Sequence, residues 1–303
     1  MRVAVNVKPQ LRRWIEHNLD RGSPPEQLVA GLIAQRFDPP LARGLIRTFV
    51  HARAAGAPFT ADTVRVELPD AAYVNDPPRI ASGHSIRTTD RMIPVLARVS
   101  KPVIAVLANL LSAEECEELI ELARPRLRPS TVVEPGTGEN RVAEYRNNEA
   151  MYFLPGETPL LAVLDARFSE IMNLPIEHGE GLQVLRYGPG QRYAPHVDFL
   201  VPGNEATEQS LRRSGQRVSS LVTYLNDVPG GGETTFPHVA LSVSPLRGNG
   251  VYFEYCNGRG QVAPASLHAG APVTQGEKWA VTKWMRERPF VSAGAWQGTS
   301  LSR

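Results

Sequence analysis

From Gly181 onward the sequence is cut into short β-rich runs, at 182–187, 218–225, 240–243, 250–255, 266–269 and 279–284, each set off by glycine, proline or asparagine. Runs this short, with turn signals between them, read as antiparallel strands. Helical patterns precede them, so the fold class is α+β with a mainly β core. A double-sheet barrel with helices packed on one outer face is the expected arrangement. No internal repeat or low-complexity tract interrupts the pattern.

Ahead of the strands the apolar period is helical. Leu11, Trp14, Ile15 and Leu19 share one face of a helix over 10–20 that Gly22 ends. Ser23-Pro24-Pro25-Glu26 supplies a cap, a first-turn proline and a capping-box glutamate for a second helix carrying Leu28, Val29, Leu32 and Ile33. Phe37-Asp38-Pro39 starts a third, with Leu41, Leu45, Ile46, Phe49 and Val50 inward, until Gly56-Ala57-Pro58 stops it. Residues 1–57 are therefore expected to form a three-helix segment. The Pro-, Asp- and Thr-rich stretch 58–95 reads as a linker lying along the core, and 96–303 as the main domain. Within that domain Ser112-Ala113-Glu114-Glu115 is a further capping box, leading a helix that Pro125 ends, and another helix is expected over 159–172.

Net charge excludes little. Thirty-three basic against 31 acidic side chains leave +2, interspersed along the chain, so neither a nucleic-acid footprint nor an acidic substrate follows from it. No apolar run is long enough to cross a bilayer, and no membrane partner is expected. Only two cysteines, Cys116 and Cys256, far apart in sequence, and a start without a signal-peptide apolar core suggest a cytoplasmic location.

The chemistry is carried by late polar residues. His196-Val197-Asp198 puts an imidazole and a carboxylate on one face of a strand, where both could bind one cation. The tripeptide alone is weak evidence. A second imidazole comes from His268, and Lys278 lies ten residues later in Gly276-Glu277-Lys278-Trp279. Two histidines and one carboxylate leave three adjacent positions open on a non-haem ferrous ion. A 2-oxo acid can chelate two of them and O2 can take the third, while the far carboxylate of 2-oxoglutarate would need a buried cation such as a strand-borne lysine. Two histidines and a carboxylate also suit catalytic zinc, and Lys278 discriminates, since a hydrolase has no use for a dicarboxylate anchor. His238 matches no ligand spacing and reads as a surface histidine. Gly230-Gly231-Gly232, with no Lys-Ser/Thr or helix after it, reads as a turn between strands.

Between about 102 and 288 the sequence resembles the prolyl 4-hydroxylase branch of the 2-oxoglutarate oxygenases. The resemblance runs through Ala123-Arg124-Pro125-Arg126-Leu127, Glu144-Tyr145-Arg146, the stretch from Leu182 through Tyr187-Gly188-Pro189-Gly190-Gln191 to His196-Val197-Asp198, and Leu225-Asn226-Asp227-Val228-Pro229-Gly230-Gly231-Gly232-Glu233-Thr234-Thr235-Phe236-Pro237. From His268 through Lys278-Trp279 to Lys283-Trp284 it keeps the family's spacing. It implies a double-stranded β-helix (jelly-roll) core, with His196, Asp198 and His268 as iron ligands and Lys278 holding the C5 carboxylate of 2-oxoglutarate. Tyr187 and Thr234 would help to hold the same cosubstrate, and Tyr193, Arg217 and Trp284 would line the substrate mouth. O2 is the oxidant and ascorbate the expected reductant. Asp198 favours hydroxylation, because radical halogenases of the superfamily carry a small residue there.

The resemblance implies a prolyl residue of a peptide or protein as substrate, with segments 136–147 and 200–217 as loops folding over it. The alternative is a free amino acid or related metabolite whose carboxylate pairs with Arg217 or Arg286. Relatives acting on prolyl peptides usually carry a histidine where this chain has Arg286, and the first ninety-odd residues fall outside the resemblance. The N-terminal helices are candidates for binding a partner or for dimerisation, and a catalytically silent binding module is the remaining alternative.

Overall fold

A computed structural model describes residues 2–35, 37–54, 56, 63–67, 73–130, 132–133, 140–141, 146–202 and 205–292. The chain divides into two units, one built on Met1–Tyr73 and the other on most of the chain from Val74 onward. Among the described residues no helix is long and apolar enough to cross a membrane.

In the N-terminal unit, helices α1 (Pro9–Asp20), α2 (Pro25–Ala34) and α3 (Pro39–Ala54) lie where the apolar period places them. Ile15, Leu28, Leu32, Leu41, Leu45 and Phe49 meet in one buried cluster. The capping box expected at α2 does not form: Pro24 is the N-cap, no side chain caps the helix, and Glu26 falls one position short of reaching back. At α3 the Asp38 carboxylate accepts from the Leu41 N–H at 3.0 Å and satisfies one of the free donors of the first turn.

Helical periodicity hides a two-stranded sheet in this unit. Arg2–Asn6 pairs antiparallel with Thr63–Glu67, bringing Val5 opposite Val64 and Val3 opposite Val66. Val5, Val64 and Val66 are buried in the cluster formed by the helices. The stretch 58–95 is therefore not a simple linker. It returns Thr63–Glu67 to the N-terminal unit and gives Ser85–Arg87 and Met92–Ser100 to the edge of the main sheet. Pro94 is tolerated because it stands where the pairing with Ser85–Arg87 ends and before the pairing with Val103–Leu107 begins. Residues 57–62 and 68–72 of that stretch lie outside the described residues.

The second unit holds a nine-stranded antiparallel sheet. Its order is Ser85–Arg87, Met92–Ser100, Val103–Leu107, Gly250–Glu254, Arg217–Tyr224, Lys278–Arg286, Gln183–Tyr187, Glu149–Tyr152 and Arg128–Pro129. A four-stranded sheet runs Tyr193–His196, His268–Gly270, Thr234–Phe236 and Leu241–Val243. Helices α4 (Ala113–Ala123) and α5 (Pro159–Met172) pack on one face of the large sheet. The α4 capping box forms in full, with Ser112 Oγ accepting from Glu115 N–H and Glu115 accepting from Ser112 N–H.

Strand period two decides what faces the site. Along Lys278–Arg286, Trp279, Val281 and Met285 join Leu119, Leu164, Phe168 and Ile171 in the core under the helices. Lys278, Ala280, Thr282 and Trp284 point the other way and line a cavity. All nine positions of this strand are buried because both of its faces are covered. Segment 200–217 is not a plain loop, since it contains helix α6 (Glu205–Ser214). Segment 136–147 lies largely outside the described residues.

Candidate active site

A cavity of about 290 Å3 opens beside the inner faces of the two sheets in the second unit. The proposed ligand, cosubstrate and mouth residues all line it: His196, Asp198, His268, Lys278, Tyr187, Thr234, Tyr193, Arg217 and Trp284. His238, whose spacing matches no ligand role, does not line it.

Strand pairing brings the two imidazoles together. His196 and His268 are cross-strand partners in the four-stranded sheet, with ring centroids 4.3 Å apart. Together with Asp198 they offer ligand atoms that all lie within 4.8 Å of one another. His196 Nδ1 lies 2.9 Å from the carbonyl of Ala194, and His268 Nδ1 lies 3.0 Å from that of Ser266. A ring nitrogen facing a carbonyl must carry the proton, so each Nε2 keeps its lone pair for the centre of the group. Burial, reinforced by the neighbouring His268, pulls the His196 pKa down to about 3 and keeps the ring neutral. Burial alone would raise Asp198, but the charge of Arg217 and a hydrogen bond from Ser220 hold its carboxylate ionised. Asp198 Oδ2 accepts from Ser220 Oγ at 2.5 Å and from Trp284 Nε1 at 3.0 Å. Its Oδ1 is left facing His196 Nε2 at 3.7 Å. Two imidazoles presenting Nε2 and one oriented carboxylate make a donor set that suits a non-haem ferrous ion.

Lys278 lies elsewhere in the same cavity, only 4% exposed. Its strand register sets it opposite Tyr187. Its Nζ donates to the carbonyl of Gly232 at 2.7 Å and sits 5.5 and 5.2 Å from the ring centroids of Tyr187 and Tyr224. That carbonyl is presented by a tight turn, in which a side chain at Gly231 would meet the backbone oxygen of Pro272 at 2.2 Å. Burial lowers the Lys278 pKa to about 8, with Glu233 opposing. The Thr234 hydroxyl accepts from Tyr224 at 2.9 Å, leaving its own proton to point elsewhere. A lysine and two hydroxyls, from Tyr187 and Thr234, are thus gathered in a mostly enclosed place, which suits a carboxylate.

The remaining wall differs from expectation in one respect. Tyr193 stacks on His196, centroids 3.5 Å apart, and Trp284 binds Asp198 as described. Arg217, however, is held by Glu180 through two bonds of 2.7 and 2.8 Å and lies 3.9 Å over the Trp284 ring. Arg286 donates to the same Glu180 at 3.0 Å and to the carbonyl of Gly215, and it does not line the cavity. The expectation that either arginine pairs with a substrate carboxylate is therefore corrected, because Glu180 already occupies both. Burial opposes ionisation of Glu180, but Arg217 and Arg286 hold it charged. Sequence reasoning missed Glu180, Ser220, Tyr224 and Tyr255, whose hydroxyl is 3.0 Å from Ser220 Oγ. No spacing rule joins them to the ligands, and only the sheet register does.

Comparison with known proteins identifies the family. The profile of the 2OG-Fe(II) oxygenase superfamily, 2OG being 2-oxoglutarate, matches residues 182–286. Probable prolyl 4-hydroxylase 10 of Arabidopsis thaliana is 34% identical over 228 residues, covering 69% of this chain and 76% of the relative. Prolyl 4-hydroxylase 1 of the same plant is 40% identical over 202 residues, covering 62% and 70%. A viral collagen prolyl hydroxylase from Paramecium bursaria Chlorella virus-1, solved with 2-oxoglutarate, superposes with a TM-score of 0.48 at 29% identity, over 60% of this chain and 95% of that one. The chain belongs to the prolyl 4-hydroxylase-like 2OG-Fe(II) oxygenases, a family of 2-oxoglutarate-dependent dioxygenases.

Proposed function

We propose that this dioxygenase hydroxylates a prolyl residue in a peptide or protein, with His196, Asp198 and His268 holding the ferrous ion and Lys278 anchoring 2-oxoglutarate. The observation that carries the reading is the joint placement of the three donors and the buried lysine in one cavity. Iron with 2-oxoglutarate and O2 would supply the oxidising power, and ascorbate would serve as reductant. What the chain supplies is orientation. Ser220 and Trp284 fix the Asp198 carboxylate, and the Ala194 and Ser266 carbonyls fix the imidazole tautomers. Lys278 neutralises the far carboxylate of the cosubstrate, with the hydroxyls of Tyr187 and Thr234 beside it. Tyr193 and Trp284 wall the mouth with aromatic surface suited to a prolyl ring.

We read the two sheets as a distorted jelly-roll, in keeping with the four-stranded sheet facing the cavity from one side and the long strands from the other. The N-terminal unit has its own core and remains a candidate for partner binding or dimerisation. A reducing, cytoplasmic setting suits two cysteines that are both buried and unbonded.

The test is mass spectrometry of a proline-containing peptide library and a free amino-acid library, each incubated with the chain, Fe(II), ascorbate, O2 and 2-oxoglutarate. A gain of one oxygen on prolyl peptides, matched by succinate, is the expected result. Oxygen gained by free amino acids alone would overturn the peptide reading.

A further inference from the structure

The cavity holds two arginines in opposite electrostatic states. Arg217 is neutralised in place by both oxygens of Glu180. Arg146 also lines the cavity, yet among the described residues no carboxylate pairs with it, and its Nε is buried with no hydrogen-bond partner. One face of its guanidinium lies on the Tyr193 ring, 4.8 Å from the centroid, and Tyr193 in turn stacks on His196. The cation is thus aimed into the site by a stack that ends on a proposed iron ligand. Its charge bears on Tyr193, Tyr187 and His196.

A guanidinium keeps its charge at any working pH, and its planar fork matches a carboxylate through two parallel hydrogen bonds. The negative groups already in the cavity are committed. Asp198 belongs to the metal donor set and accepts from Ser220 and Trp284. The distal carboxylate of 2-oxoglutarate is matched by Lys278 in the proposed reading, and its other carboxylate by the iron. The anion that completes Arg146 must therefore arrive with the substrate. Resting on the proposed prolyl hydroxylation, we infer that Arg146 selects prolyl substrates carrying a carboxylate beside the target proline. That carboxylate comes either from the side chain of an adjoining Asp or Glu or from a free chain end at the proline itself.

The test uses the full chain with Fe(II), 2-oxoglutarate and three matched prolyl peptides, measuring kcat/KM by oxygen gain. One peptide is capped and neutral, one is capped with an acidic residue adjoining the proline, and one is neutral with a free carboxylate at a C-terminal proline. At low ionic strength one of the two carboxylate peptides should exceed the neutral one by roughly ten- to a hundredfold, the range expected for a bidentate charged hydrogen bond. Which of them does so identifies the source of the carboxylate. The preference should shrink with added salt, collapse in Arg146→Gln and return in part in Arg146→Lys, changes of ratio that a purely structural role for Arg146 would not produce. Equal kcat/KM for all three peptides in the unaltered chain would overturn the inference and leave prolyl hydroxylation standing, as would a preference that survives in Arg146→Gln. Absence of oxygen gain on every prolyl peptide would instead overturn the substrate reading beneath it. If Arg146→Gln turns over too slowly to measure, anaerobic calorimetry of the same peptides against the iron and 2-oxoglutarate complex gives the same ratio as affinities, and an unchanged ratio there refutes the inference.

Discussion

Replacing Lys278 with methionine removes the proposed cosubstrate anchor while keeping the volume of its stem. In the native chain Lys278 is 4% exposed and its ammonium donates to the Gly232 carbonyl. A dicarboxylate bound beside it would be paired in a low-dielectric place. In Lys278→Met the far carboxylate of 2-oxoglutarate would be buried with only the Tyr187 and Thr234 hydroxyls for company. Removing one partner of a buried, hydrogen-bonded charge pair costs about 3 kcal/mol, or roughly 150-fold in affinity. Folding should suffer little, because the substitution also removes a charge that burial disfavours, as the lowered lysine pKa of about 8 records. The assay is anaerobic calorimetric titration of 2-oxoglutarate into the iron-loaded variant, beside a titration of iron alone. The expected outcome is a Kd for 2-oxoglutarate raised by about two orders of magnitude with iron affinity unchanged. A Kd within about threefold of the native value would refute the anchoring role, since that shift is smaller than one ordinary hydrogen bond.

Other consequences are as open to measurement. With the Lys278 pKa near 8, the binding-competent ammonium is full well below that pH and depleted above it, so KM for 2-oxoglutarate should be flat up to about pH 8 and rise beyond. A pH-independent KM between 7 and about 9.5 would contradict this. The Lys283 ammonium and the Asp165 carboxylate, 2.7 Å apart and both nearly inaccessible, face the helices rather than the cavity. Asp165→Ala should therefore lower unfolding free energy by about 3–5 kcal/mol in a denaturant titration, and Asp165→Leu combined with Lys283→Met should recover most of it. Trp284→Phe deletes one of two donors to Asp198 Oδ2 while keeping an aromatic wall, and should weaken iron binding about tenfold in a competition titration with a chelator.

How much of the fold and site was legible in the sequence depends on how far each signal reaches. The helices α1, α3, α4 and α5 and the capping box at Ser112 were readable because they depend on residues a turn apart. The strands around Lys278 and Gln183 were readable because apolar runs between turn residues mark them. The strand Arg2–Asn6 was not, since its partner Thr63–Glu67 lies some sixty residues away and each is too short to show alternation alone. The proposed ligand set was visible as residue types at a familiar spacing. Its support was not: Ser220 meets Asp198 only because Arg217–Tyr224 and Lys278–Arg286 pair with Ser220 opposite Trp284. Arg217 was misread for the same reason. Nothing in the sequence joins it to Glu180, 37 positions upstream, and that pairing turns a substrate-facing cation into a neutralised wall.

Iron stoichiometry tests the metal centre most directly. Anaerobic titration should find one ferrous ion per chain, with a visible charge-transfer band appearing when 2-oxoglutarate is added, and both should be lost in His196→Ala, Asp198→Ala and His268→Ala. A full complement of iron retained by His268→Ala, or a native complex whose spectrum ignores 2-oxoglutarate, would contradict three side chains sharing one ion that the cosubstrate chelates.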